Sequence, residues 1–153
     1  MKDSKGITLT SLIITVIILI ILTGVTTFFG TEVIDYTEEN KFVTELKIIQ
    51  EKVNIINEEI SLGSTTYNNV GKTISSISAE QQETVNSVCT YLGMTASQLV
   101  NYKYFDRAEL EKIGIDRIDD NVLISFQDRK IISTTGVEID NTMYYTLDDI
   151  NNK

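Results

Sequence analysis

The sequence predicts an α+β fold: a long N-terminal helix packed on a small antiparallel β-meander, with short helices between. Three observations carry this reading. A charge-free apolar stretch opens the chain, an apolar stripe at helical spacing follows it, and the last third changes to two-residue alternation. The size, 153 residues with 42% apolar and 23% charged side chains, fits one globular domain. A formal charge of −9 offers no basic surface to displace phosphate counterions, so no nucleic-acid partner is expected. The chain has no His, and Cys89 is its single cysteine. His-based catalysis, His metal sites and internal disulfides are thereby excluded, and neither cofactor nor metal is expected.

The first element is the charge-free stretch, residues 6–31, whose centre at 12–22 reads LIITVIILIIL. As a helix its 26 residues would be about 39 Å long, more than the ~30 Å hydrocarbon core of a bilayer. Fifteen Ile, Leu, Val and Phe side chains between Ile7 and Phe29 favour membrane insertion by about 5–9 kcal/mol in sum. A membrane-spanning first half is the expectation. Lys2 and Lys5 precede the stretch, while Glu32, Asp35, Glu38 and Glu39 follow it. This charge asymmetry places the N-terminus in the cytoplasm and the remainder outside the cytoplasmic membrane, as a single-pass protein. No small-residue cleavage pattern follows, the first alanine being Ala79, so the segment is not expected to be removed as a secretory signal peptide.

The second element continues the first. Phe42, Leu46, Ile49, Val53, Ile56 and Ile60 are spaced 4, 3, 4, 3, 4, one stripe of an amphipathic helix, with Glu45, Lys47, Glu51, Lys52 and Glu58 among the residues between. No proline interrupts it and Gly63 supplies a stop, so one helix over residues 7–62 is expected. A loop over 63–77 follows. Three start signals then predict short helices: Ser78 with Gln81, Thr95 with Gln98, and Asp106 with Glu109. Gly93 and Gly114 close the first and the last.

The third part alternates. Residues 122–126, VLISF, and 130–134 read as strands around a turn at 127–129. Val137 and Ile139, then Met143, Tyr145 and Leu147, alternate around Asp140 and Asn141, a hairpin pattern. These strands are expected to form one meander, with the amphipathic half of the first helix covering its apolar face.

Other features have plain readings. Cys89 falls on the apolar stripe of a short helix and reads as a buried structural thiol. The carboxylate pairs 38–39, 58–59, 119–120 and 148–149 read as solvated faces, because adjacent residues on a helix do not face each other. Gly71, Lys72 and Thr73 resemble the end of a phosphate loop, but Thr66 stands where that motif needs glycine. Tyr102, Tyr104 and Phe105, and one of Tyr144 and Tyr145, read as core rather than as a binding patch.

The opening KGITLTSLIITVIILIILTGVTT, with a short basic leader ending in Gly immediately before a long uncharged helix, resembles the type IV pilin and pseudopilin superfamily, in particular short prepilin-like proteins of Gram-positive bacteria. The resemblance implies a leader at 1–6, a hydrophobic filament-core helix at 7–30, its amphipathic continuation at 31–62 and an extracytoplasmic head at 63–153. It implies cleavage between Gly6 and Ile7 by a prepilin peptidase and N-methylation of Ile7. Its implied partners are other pilin-like subunits, an assembly platform and an ATPase, in a type IV pilus or type II secretion-like filament at the cell surface. The implied role is structural and non-enzymatic. The family usually carries Glu at the fifth mature residue, where this chain has Ser11. That carboxylate pairs with a neighbour's terminal amine in a low-dielectric bundle, and a hydroxyl can accept a hydrogen bond there without neutralising the charge. The departure suits a minor subunit. The alternative reading is an uncleaved, signal-anchored binding or sensor module outside the cytoplasm.

Overall fold

The computed structural model describes residues 9–153, with the side chains of 11–20 and of 37–153. The chain divides into two compact units, Met1–Glu38 and Glu39–Lys153. Helix α1 runs Leu9–Ser61 as one helix of 53 residues, close to the expected bounds. Among the described residues, no helix is long and apolar enough to cross a membrane. This corrects the expectation of a membrane-spanning first half.

In the second unit α1 buries the expected stripe. Phe42, Leu46, Ile49, Val53 and Ile56 are all buried, whereas the last member, Ile60, is exposed. Gly63 ends the helix in a left-handed turn (φ +95°). Its N–H donates to the Ile60 carbonyl and the Ser64 N–H to the Glu59 carbonyl, satisfying two terminal acceptors. Gly93 and Gly114 close α2 (Ala79–Tyr91) and α4 (Arg107–Lys112) in the same way. The start signals also act locally. Ser78 and Gln81 form a reciprocal capping box on α2, and the Thr95 N–H donates to Gln98 Oε1 at the head of α3 (Ala96–Leu99). Asp106 caps α4 by accepting from the Glu109 N–H at 3.1 Å.

The sheet departs from the expectation. There is no single meander. Strands β1 (Lys103–Phe105), β2 (Val122–Ser125) and β3 (Lys130–Ser133) form one antiparallel sheet in that order. Strands β4 (Val137–Ile139) and β5 (Thr142–Tyr144) form a separate two-stranded sheet. The break has a local cause. The Ser133 hydroxyl accepts from the N–H groups of Thr135 and Gly136, at 3.2 and 2.8 Å, and Gly136 takes φ +71°, so the chain leaves the sheet. The tight turn between β4 and β5 matches the hairpin reading: Asp140 and Asn141 both have positive φ, as a primed turn demands. A last helix, α5 (Leu147–Asn151), begins where the alternation predicted strand.

The three-stranded sheet is buried on both faces. Phe105, Val122, Ile124 and Ile131 join the α1 stripe in one core, while Tyr104, Leu123 and Ile132 meet Val85, Val88 and Cys89 of α2 in the other. Residues 122–125 are therefore all buried, which a continuous apolar run signals better than alternation does.

Candidate functional site

The processing residues Gly6 and Ile7 lie outside the described residues. The third residue singled out by the sequence, Ser11, lies in α1, and its carbonyl accepts the Thr15 hydroxyl at 2.8 Å. That bond explains how Thr15 interrupts an apolar run at little cost: its hydroxyl is satisfied on its own helix. The surrounding side chains are open. Leu12, Ile13, Ile14, Val16, Ile17, Ile18, Leu19 and Ile20 are 46–66% exposed. At 100° per residue these positions circle the helix, so every face presents apolar surface. A surface of this kind calls for apolar neighbours on all sides.

The head holds its amphipathic helix by polar ties as well as by its core. Gln50 Nε2 donates to the Arg129 carbonyl at 3.0 Å, and Arg129 Nε donates to Asn57 Oδ1 at 3.1 Å. The Asn57 amide in turn donates to the Phe126 carbonyl. Near the C-terminus, Lys153 Nζ meets Glu39 Oε1 at 2.6 Å.

A second polar cluster joins the 63–77 loop to α4. The Lys72 ammonium pairs with Asp106, the same residue that caps α4. Glu109 does not complete a capping box. Its carboxylate is buried, accepts the Gly71 N–H at 2.8 Å and pairs with the Lys112 ammonium. Burial pushes the Glu109 carboxyl up, but the Lys112 ammonium and the Gly71 N–H outweigh it and leave its pKa below the usual 4.5. Asp106 is likewise held below 3.8: burial raises it, and Lys72 with the α4 N–H groups lowers it further. Depressed folded-state values stabilise the head above the unfolded values and lose that contribution as pH falls through the folded ones. Glu109→Gln should thus flatten the fall in stability below about pH 4.5, which urea midpoints measured from pH 6 to 3 will show.

The remaining singled-out residues have structural roles. Cys89 is buried, and burial pushes its thiol up. Tyr102, Tyr104 and Phe105 are buried, while Tyr144 and Tyr145 are half-buried and pack on opposite cores. Gly71 belongs to no phosphate loop. It takes φ +76°, and a Cβ there would meet the Phe105 ring at 2.6 Å. Partners in the carboxylate pairs diverge: Glu39 meets Lys153, Asp119 meets Arg107 at 2.7 Å and Asp120 accepts from Ser133. Among the described residues, no group of three or more His, Cys, Asp or Glu is placed to hold a metal.

Two features escaped sequence reasoning. One is Glu109, whose N3 position read as a capping partner. The other is an open groove of about 870 Å³ along β3, assembled from α1, α3, α5 and the β2–β3 turn. Neither has a local signal, since both depend on segments distant in sequence. No protein-family model, characterised protein or solved structure matches this chain.

Proposed function

We propose that the chain is a non-enzymatic, pilin-like or pseudopilin subunit, processed between Gly6 and Ile7 and assembled through its apolar N-terminal helix into a filament of the type IV pilus or type II secretion-like kind. The observation that carries this is the apolar surface of residues 12–20, open on every side, in a charge-free stretch that begins at the Gly6–Ile7 junction. Apolar surface removed from water stabilises an assembly by roughly 25 cal/mol per Å², so neighbouring helices of the same kind are the natural cover. Ser11 in place of the usual Glu leaves a neighbour's amine without a counter-charge, which fits a minor subunit. The partners follow: other pilin-like chains in the filament, a prepilin peptidase at the junction, and the assembly platform and its ATPase. The acidic head lies outside the cytoplasm, at the cytoplasmic membrane or in a filament on the cell surface.

The reading is tested by an Ile17→Cys variant carrying a benzophenone, expressed in the native cells and illuminated. Cys89 is buried and leaves the introduced thiol as the reactive one. Cross-links from position 17 to other pilin-like chains are the expected result. Adducts to lipid alone, with no protein neighbour, would contradict assembly through this helix.

A further inference from the structure

The groove along β3 exposes an unused strand edge. The Ser133 N–H donates to the Tyr145 carbonyl, and the Thr134 N–H donates to the Asn121 carbonyl across from it. Backbone groups alternate sides along an antiparallel strand. With Ser133 pointing off the sheet, Ile131 points off it too, in the register that sets Ile131 against Ile124. On the outer edge, the Arg129 carbonyl is taken by Gln50 and the Ser133 N–H by Tyr145. Between them the N–H and C=O of Ile131 meet no partner among the described residues. An unpaired strand edge of this kind offers one donor and one acceptor to an added strand. The opposite edge shows what fits: Lys72 bridges the outward groups of Tyr104 with two backbone bonds of 2.8 Å.

The groove also carries opposite charges at its two ends. Arg129 and Lys130 line it at the start of β3, and Asp148 and Asp149 line it beside Thr146, near the end of β3. Arg129 and Lys130 form no ion pair among the described residues, and neither do Asp148 and Asp149. Asp128, at the basic end, is engaged by the Ser125 hydroxyl at 2.9 Å.

We infer that this groove binds an extended peptide segment of another protein, adding a strand antiparallel to β3. Its central residue exchanges two backbone hydrogen bonds with Ile131. A basic side chain towards its N-terminus faces Asp148 and Asp149, and an acidic one towards its C-terminus faces Arg129 and Lys130. The mode is strand addition, in which main-chain bonds supply affinity and end charges set direction. This does not rest on the filament assignment.

The test uses ¹⁵N-labelled full-length protein in detergent micelles, titrated with the capped peptide Lys-Val-Thr-Val-Glu. The Ile131 amide should shift, and its hydrogen exchange should slow about tenfold or more on saturation. N-methylation of the central Thr, which deletes one bond to Ile131, should weaken binding about tenfold, as should the reversed order Glu-Val-Thr-Val-Lys. Lys130→Glu, at an exposed position, should weaken the first peptide and strengthen the reversed one. An Ile131 amide unmoved at millimolar peptide, or equal binding of the N-methylated peptide, would overturn the proposal. So would peptide-independent protection of Ile131 that grows with protein concentration, which would put a second copy in the groove.

Discussion

Phe105→Ala should lower the unfolding free energy of the head by about 3–5 kcal/mol, the range for deleting a fully buried aromatic ring. The ring is 0% exposed and lies in the core beneath α1. It stands edge-on to Phe126 at a centroid distance of 5.9 Å. It also fills the space over Gly71, so the loss reaches the Lys72 bridge and the Glu109 hydrogen bond that fasten the 63–77 loop. Urea unfolding followed by circular dichroism measures the change. A loss under about 1 kcal/mol would mean that the site collapses freely or that the ring lies elsewhere. Gly71→Ala supplies the converse. Its clash with the ring disappears in the Phe105→Ala background while its positive-φ cost and its close approach to Lys103 Cβ remain, so the two changes should be non-additive.

Ile49→Ala should cost about 2–5 kcal/mol, whereas Ile48→Ala, one residue earlier, should cost about 1 kcal/mol or less. Ile49 is fully buried at the centre of the α1 stripe, and Ile48 is 49% exposed on another face of the same turn. The contrast reads the rotation of α1 on the head directly. Equal effects would mean that a different face of the helix is buried.

The legible parts of this fold are those that depend on neighbours a few residues away. The stripe from Phe42 to Ile56, the capping box of Ser78 and Gln81, the turns at Gly63, Gly93 and Gly114 and the Asp140–Asn141 hairpin all come from local geometry. Pairing between distant strands does not. Strand β1 is three residues long, KYF, and it finds its place by pairing with β2 further along the chain on one edge and with Lys72 on the other. Its joining the sheet, with the Gly136 turn, replaces one meander by two sheets. Helix α5 is hidden because Leu147 continues the alternation of Met143 and Tyr145. Its start signal was nonetheless present: Thr146 accepts the Asp149 N–H at 3.1 Å, a hydroxyl cap three residues ahead of an acid. Ile60 fits the helical period but lies beyond the part of the stripe that the core covers, so period alone overextended the packed face by one turn.

The candidate site divides in the same way. The apolar residues after Ser11 are legible from composition and charge, whereas Ser11 itself stands out only through the resemblance, as the position of the family's Glu. Glu109 and the β3 groove are not legible, because a buried carboxylate and an unpaired strand edge arise from what the rest of the chain leaves beside them.

Processing of the N-terminus is tested most directly by the intact mass of the protein from native membranes, with sequencing of its first peptide. A mature chain beginning at Ile7, lighter by residues 1–6 and heavier by one methyl group, is the result expected of a pilin-like subunit. A chain still beginning at Met1 would contradict it.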